Sequence, residues 1–204
     1  MGALHEGHLS LVRQSQSEND LTVVSIFVNP TQFAPHEDFK SYPRETEADL
    51  SQLDALGVDI VFNPNQEEIY PKDLSASGFV SSLSSGLCGA SRPHFFGGVC
   101  QVVNRFFEII QPRRAYFGEK DYQQLCIITD MVESLGLPIQ VIGCPIIRES
   151  NGLAMSSRNQ YLTDDQRVLA SHIYQGMNTV QENVLLGKVD PVELIQDMTQ
   201  FLDG

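Results

Sequence analysis

A parallel β-sheet flanked by helices is the fold class this sequence predicts, and three observations predict it. Short β-branched or apolar runs alternate with amphipathic stretches of helical length. The runs stop at Asn-Pro or at glycine, residues that break strands and close helices. That rhythm requires right-handed crossovers between parallel strands. After residue 148 helical stretches follow one another with no strand between them.

In chain order, residues 21–28 read as a strand buried on both faces, ending at Asn29-Pro30. Residues 45–56 form an amphipathic helix closed by Gly57, and 58–62 the next strand, ending at Asn63-Pro64. Residues 65–97 are irregular, with a short strand at 79–83. A helix over 99–110 ends before Pro112, a strand over 114–117 runs into Gly118, and a helix over 122–135 closes at Gly136. Another strand covers 138–144, a polar loop 149–159, and two helices 163–186 and 191–202. The fold class is therefore α/β: a Rossmann-like catalytic domain over 1–147 and a small, mostly helical lid domain over 148–204. Its most motif-like segment starts at Met1 with no strand before it, and the chain stops directly after a helix. We expect the first strand to be missing and the second domain to be partial.

Composition narrows the function. The 204 residues carry 13 basic and 26 acidic side chains, a formal charge of −13. Such a surface repels nucleic-acid phosphates and acidic membranes, so neither is an expected partner. No apolar run reaches membrane-spanning length, and residues 1–6 lack signal-peptide grammar, which points to the cytoplasm. Cys88, Cys100, Cys126 and Cys144 are widely spaced and form no Cys-x-x-Cys pair, against a zinc ribbon or a redox motif.

Four segments could carry chemistry. In the first, Met1-Gly2-Ala3-Leu4-His5-Glu6-Gly7-His8 precedes an apolar helical run. A helix starting there offers free N–H groups and a positive dipole end to phosphate. Gly7 lets a nucleotide approach closely, and His5 and His8, three apart, share a face. Two imidazoles so placed can stabilise the charge of an α-phosphate under attack. A pair of surface histidines near a frayed terminus is the plainer alternative.

The second, Asn29-Pro30-Thr31-Gln32-Phe33, follows a strand, where parallel sheets bind ligands. Asn29 and Gln32 can pair with a hydroxyl and a carboxylate, although Asn-Pro alone is an ordinary turn. The third, Gly118-Glu119-Lys120-Asp121-Tyr122-Gln123-Gln124, repeats that placement after a later strand. Lys120 supplies charge for phosphate, Asp121 could orient a ribose or a metal-bound water, and Gln124 lies one turn on; a solvated helix start is the alternative. The fourth, Gly152-Leu153-Ala154-Met155-Ser156-Ser157-Arg158-Asn159, could bring a guanidinium to a departing pyrophosphate, or could simply link domains.

In this order, and joined by Tyr42-Pro43-Arg44, these segments resemble the pantothenate synthetase (pantoate–β-alanine ligase) family of the His-x-Gly-His nucleotidyltransferases. The resemblance covers essentially the whole chain. It implies that (R)-pantoate attacks the α-phosphorus of MgATP to give pantoyl adenylate and diphosphate, and that β-alanine then displaces AMP to give pantothenate. It places ATP against Met1–His8, Gly118, Glu119, Lys120, Asp121, the Ile147 backbone, Met155, Ser156, Ser157 and Arg158. It makes His8 the proton donor, with His5, Lys120 and Arg158 beside it, and Gln32 and Gln124 the pantoate-binding pair. It implies a homodimer, for which 93–103 is an expected interface; no residue is assigned as a metal ligand. Another adenylyltransferase of the superfamily and an inactive nucleotide-binding fragment are the alternatives.

Overall fold

A computed structural model of the chain describes residues 2–72 and 79–203, and Met1 lies outside them. The chain forms two compact units, Met1–Ile146 and Ile147–Gly204.

The first unit alternates helix and strand. Helix α1 (Glu6–Glu18) leads to β1 (Val23–Ser25), a 3-10 turn (Pro30–Gln32), α2 (Thr46–Ala55) and β2 (Ile60–Phe62). The short helices α3 (Gln66–Ile69) and α4 (Cys88–Ser91) precede the long α5 (Phe95–Ile110). Then come β3 (Arg114–Gly118), a 3-10 turn (Glu119–Asp121), α6 (Tyr122–Ser134) and β4 (Gln140–Cys144). Strands β1 and β2 pair in parallel with Val24 opposite Val61, and β3 and β4 with Tyr116 opposite Ile142. The class is the predicted α/β one, but the described strands form two separate two-stranded sheets.

Each sheet has its own apolar cluster. Val12 of α1, Val24 and Ile26 at β1, Leu53 of α2 and Leu4 bury together around the first. Phe96, Val99, Cys100 and Phe107 of α5 bury with Ile127, Ile128, Met131 and Val132 of α6 around the second. Helix α5 also reaches the first pair, because Phe106 meets Phe27 and Phe62 edge-on at 6.1 and 5.9 Å. The end of α1 ties to β3: the Arg114 guanidinium donates to the Glu18 carbonyl at 2.6 Å, and Tyr116 donates to the Glu18 carboxylate at 2.8 Å.

Three expectations need correction. The strand expected over 21–28 shrinks to three residues and is not buried on both faces: Val24 is buried while Leu21 and Val23 are exposed. No strand forms at 79–83; the Ser81 hydroxyl accepts from the Leu83 amide and donates to Asp130, which starts a 3-10 turn instead. Helix α5 starts at Phe95 rather than at 99, and its Phe96, Val99 and Cys100 pack into the chain's own core. The helix-closing glycines are as predicted, Gly57 at φ +67° and Gly136 at φ +60°.

The second unit opens with a bridge between Arg148 and Ala154 and a 3-10 turn over Ser157–Tyr161. Helix α7 (Asp164–Leu185) follows, capped by Thr163 and Gln166 reciprocally, and α8 (Pro191–Asp203) packs on it. Among the described residues, no helix is long and apolar enough to cross a membrane.

Candidate active site

The backbone from Gly2 to His8 is bent sharply before it becomes helix. Gly2 lies against Val28, just past β1, where an added Cβ would come within 3.7 Å of Val28 Cγ2. Ala3 adopts a left-handed φ of +48°, which side chains with a Cβ disfavour. The Asp49 carboxylate holds this bend, accepting from the Ala3 amide at 2.9 Å and the Leu4 amide at 2.6 Å. His5 then caps α1 in extended conformation, outside the helix rather than within its first turn. Its carbonyl accepts from the amides of His8 and Leu9 at 2.7 and 3.1 Å.

The two imidazoles meet as the spacing implied, with ring centroids 4.0 Å apart. His8 Nδ1 accepts from the His5 backbone N–H at 3.3 Å, which puts the His8 proton on Nε2. His5 Nδ1 is buried without a partner in the chain, an atom available to a bound ligand. Burial, with His5 and Lys120 nearby, pushes His8 down to about 3. Burial, then the Lys120 charge, lowers His5 as well. Neutral rings at pH 7 therefore offer directed N–H dipoles, while Lys120 supplies the positive charge that reaches both.

Lys120 stands in the turn after β3, its ammonium 3.0 Å from the Asp121 carboxylate. Gly118, at the strand's end, leaves open space where a Cβ would stand. Glu119 leans across β4: a Cβ at Gly143 would come within 3.2 Å of its Oε1. Gln124 is half-buried on the first turn of α6.

Asn29 and Gln32 come together beyond β1. Asn29, 4% exposed, accepts through Oδ1 from the Thr31 amide, the Thr31 hydroxyl and the Tyr70 hydroxyl at 3.2, 3.0 and 2.7 Å. Its Nδ2 donates to the Gly98 carbonyl at 3.0 Å and Gln32 Oε1 at 3.4 Å. The amide is thus fully engaged within the chain, and its Nδ2 also holds the Gln32 side chain. Gly98 lets the turn seat on α5: an added Cβ would lie 2.5 Å from the Thr31 carbonyl oxygen and 2.9 Å from the Gln32 nitrogen. Arg92 grips the segment beyond, its Nε and Nη2 donating to the two Glu37 carboxylate oxygens at 2.6 and 2.7 Å.

Met155, Ser156, Ser157 and Arg158 belong to the second unit. Ser156 caps their 3-10 turn by accepting from the Arg158 amide, and the Ile147 carbonyl accepts from the Met155 amide at 3.0 Å. Asn159 fastens the turn, donating to Glu149 at 2.8 Å and to the Ala154 carbonyl at 3.0 Å. Met1 lies outside the described residues. Asp49, Tyr70 and Gly98 were missed in the sequence; an aspartate four residues before the core residue Leu53, on the same helix face, was the one available signal.

Comparison with known proteins supplies the family. The family model described as pantoate-beta-alanine ligase matches residues 1–203. Pantothenate synthetases from Thermotoga neapolitana and Thermosipho melanesiensis are 50% and 51% identical to the chain over 99% and 100% of its length, each match covering 72% of the relative. The crystal structure of pantothenate synthetase from Thermus thermophilus superposes with TM-score 0.95 at 44% identity, covering all of this chain and 74% of that one. Pantoate-beta-alanine ligase from Francisella tularensis, complexed with beta-gamma ATP and beta-alanine, superposes with TM-score 0.83 at 38% identity, over 98% of this chain and 75% of that one. With a family model spanning nearly every residue and relatives at half identity, the chain belongs to the pantoate-β-alanine ligase family.

Proposed function

We propose that this chain, a ligase, joins (R)-pantoate to β-alanine at the expense of ATP. The observation that carries the reading is the stacked, neutral His5–His8 pair at the start of α1, with the Lys120 charge acting on both.

In the first half-reaction a pantoate carboxylate oxygen bonds to the α-phosphorus of ATP, and the bond to the bridging oxygen of diphosphate breaks. Negative charge grows on the α-phosphoryl oxygens. His8 Nε2–H and His5 donate hydrogen bonds there, and Lys120 balances the charge. Gln32, held by Asn29, and Gln124 bind pantoate. The backbone from Gly2 to Gly7, with Gly118, Glu119 and Asp121, lines the nucleotide, and the Ile147 backbone, Met155, Ser156, Ser157 and Arg158 serve its base and outer phosphates. In the second half-reaction the neutral amine of β-alanine attacks the acyl carbon, AMP leaves with the bonding pair, and the amine proton passes to solvent. The Francisella relative's complex with beta-gamma ATP and beta-alanine supports both substrates.

Mg²⁺ enters as MgATP. Among the described residues no group of three or more His, Cys, Asp or Glu could hold a metal ion. The cation is carried on the phosphates, where Mg²⁺ keeps much of its water. We place the protein in the cytoplasm as a homodimer; the free cysteines support the compartment, and the family resemblance supports the dimer.

The test is pantoate-dependent exchange of labelled diphosphate into ATP, followed by pantothenate formation on adding β-alanine. Exchange that ignores pantoate would sink the reading.

A further inference from the structure

We propose that Asp49 is the positioning residue of the nucleotide site, fixing the bend from which both histidines rise. It rests on the reading of that site as the place of adenylyl transfer, and it adds a residue that lies outside every motif of the sequence.

Asp49 is 1% exposed, which is unusual for a carboxylate. Its two oxygens are divided between two consecutive amides, Oδ2 with Ala3 and Oδ1 with Leu4. One acceptor would fix a distance; two acceptors on neighbouring amides also fix the direction in which the backbone leaves. That direction is unfavourable on its own, since Ala3 holds φ +48°. From Leu4 the chain passes straight into His5, whose amide and carbonyl both bind His8, so any rotation at Ala3 reaches both rings.

The clamp itself has a firm base. Asp49 sits in the first turn of α2, where the positive helix end favours its charge, and its amide donates to the Glu45 carbonyl at 2.8 Å. One turn on, Leu53 is fully buried in the cluster that also holds Leu4 and Val12. Helix α2 therefore grips the loop twice, through the Asp49 hydrogen bonds and through the packing of Leu53. Packing alone would secure the fold. The charged, two-pronged acceptor adds orientation, which the in-line geometry of phosphoryl attack requires.

The experiment uses the full chain and MgATP. Asp49→Asn keeps the volume but turns one prong into an N–H donor facing an N–H donor. We expect the ATP KM to rise about tenfold and pantoate-dependent diphosphate exchange per folded molecule to fall about 100-fold, with the β-alanine KM unchanged. A merely structural aspartate would lower the melting temperature and the folded fraction while leaving the constants per folded molecule at wild-type values, and that outcome overturns the proposal. Ala3→Gly in the Asp49→Asn background removes the left-handed penalty and should restore the exchange rate about fivefold; no recovery overturns it too. Two measurements on the unmodified chain need no variant to fold. Ala3 and Leu4 amides should exchange with solvent as slowly as that of Val12, and rapid exchange refutes the clamp. Calorimetric binding of MgATP separates the two readings: if wild type binds nucleotide but shows no pantoate-dependent exchange, the substrate assignment fails while the amide protection still tests Asp49.

Discussion

The backbone N–H of His5 donates to Nδ1 of His8 at 3.3 Å while the two rings face each other 4.0 Å apart. One hydrogen bond thus sets the tautomer of the second histidine. With Nδ1 occupied, His8 can present only Nε2–H to a ligand, and a protonated ring would lose that bond and gain a buried charge.

This fixes the sign of the pH dependence. His8 falls from its ordinary 6.5 to about 3, burial being the first cause and His5 and Lys120 further ones. Between those values the unfolded chain binds a proton that the folded chain refuses, so stability should fall as pH drops from about 6.5 toward 3 and be flat on this account above 6.5. His8→Gln should flatten that part of the profile in urea titrations. By NMR the His8 Cε1–H resonance should not move between about pH 8 and 5; an inflection near 6.5 would contradict the buried, neutral assignment.

Chemistry and fold can be separated at this residue. His8→Ala removes the donor proposed for the α-phosphoryl group and should slow adenylate formation by about 10²–10³-fold. Its structural cost is the single acceptor for the His5 amide, about 1 kcal/mol. Single-turnover formation of pantoyl adenylate, measured beside the melting temperature, checks both halves. Wild-type rates would remove His8 from the mechanism.

Asn29 and Gln32 should behave differently although both are amides in one turn. Gln32→Ala is expected to raise the pantoate KM at least tenfold with little change for ATP. Gly98→Ala should act on the same substrate from the opposite side. Its Cβ would lie 2.5 Å from the Thr31 carbonyl oxygen, a backbone atom that cannot swing away, so the whole turn must move. We expect a loss of about 1–3 kcal/mol in stability together with a raised pantoate KM. Steady-state kinetics in pantoate and in ATP decide between these outcomes; equal effects on both substrates would mean that the turn serves the fold alone.

How much of this was legible follows from what each interaction demands of the local sequence. The His5–His8 stack needs only a spacing of three, and Gly57 and Gly136 need only a helix that must stop, so all four could be read directly. Asp49 reads as one more acid in the first turn of a helix, because its partners Ala3 and Leu4 lie 46 and 45 residues away. Gly98 is half of a Gly-Gly pair whose other member, Gly97, faces open space, and only the tertiary fold distinguishes them. The strand over 21–28 was overread because a β-branched run looks the same whether one face or both are buried; here Val23 stays exposed. Asn29 lies four residues beyond the end of β1 and caps the turn that follows, and its saturation by Tyr70, Thr31 and Gly98 depends on contacts that spacing does not encode.

The second unit allows a test of whether its polar loop is held as firmly as the first unit's bend. Gly152 adopts φ +93°, and a Cβ there would stand 2.4 Å from Tyr174 Cδ1. The ring cannot easily yield, since the Arg148 guanidinium lies over it at 3.9 Å and donates to the Gly152 carbonyl at 3.1 Å. Gly152→Ala therefore carries two penalties, one from backbone strain and one from the clash. Tyr174→Ala in that background removes only the clash. We expect hydrogen exchange across residues 149–159 to quicken in Gly152→Ala and to recover in part in the double variant, with diphosphate exchange following the same order. If the loop exchanged freely in the wild type, neither penalty would register, and the turn that carries Ser156 and Arg158 would have to be ordered by nucleotide rather than by Tyr174.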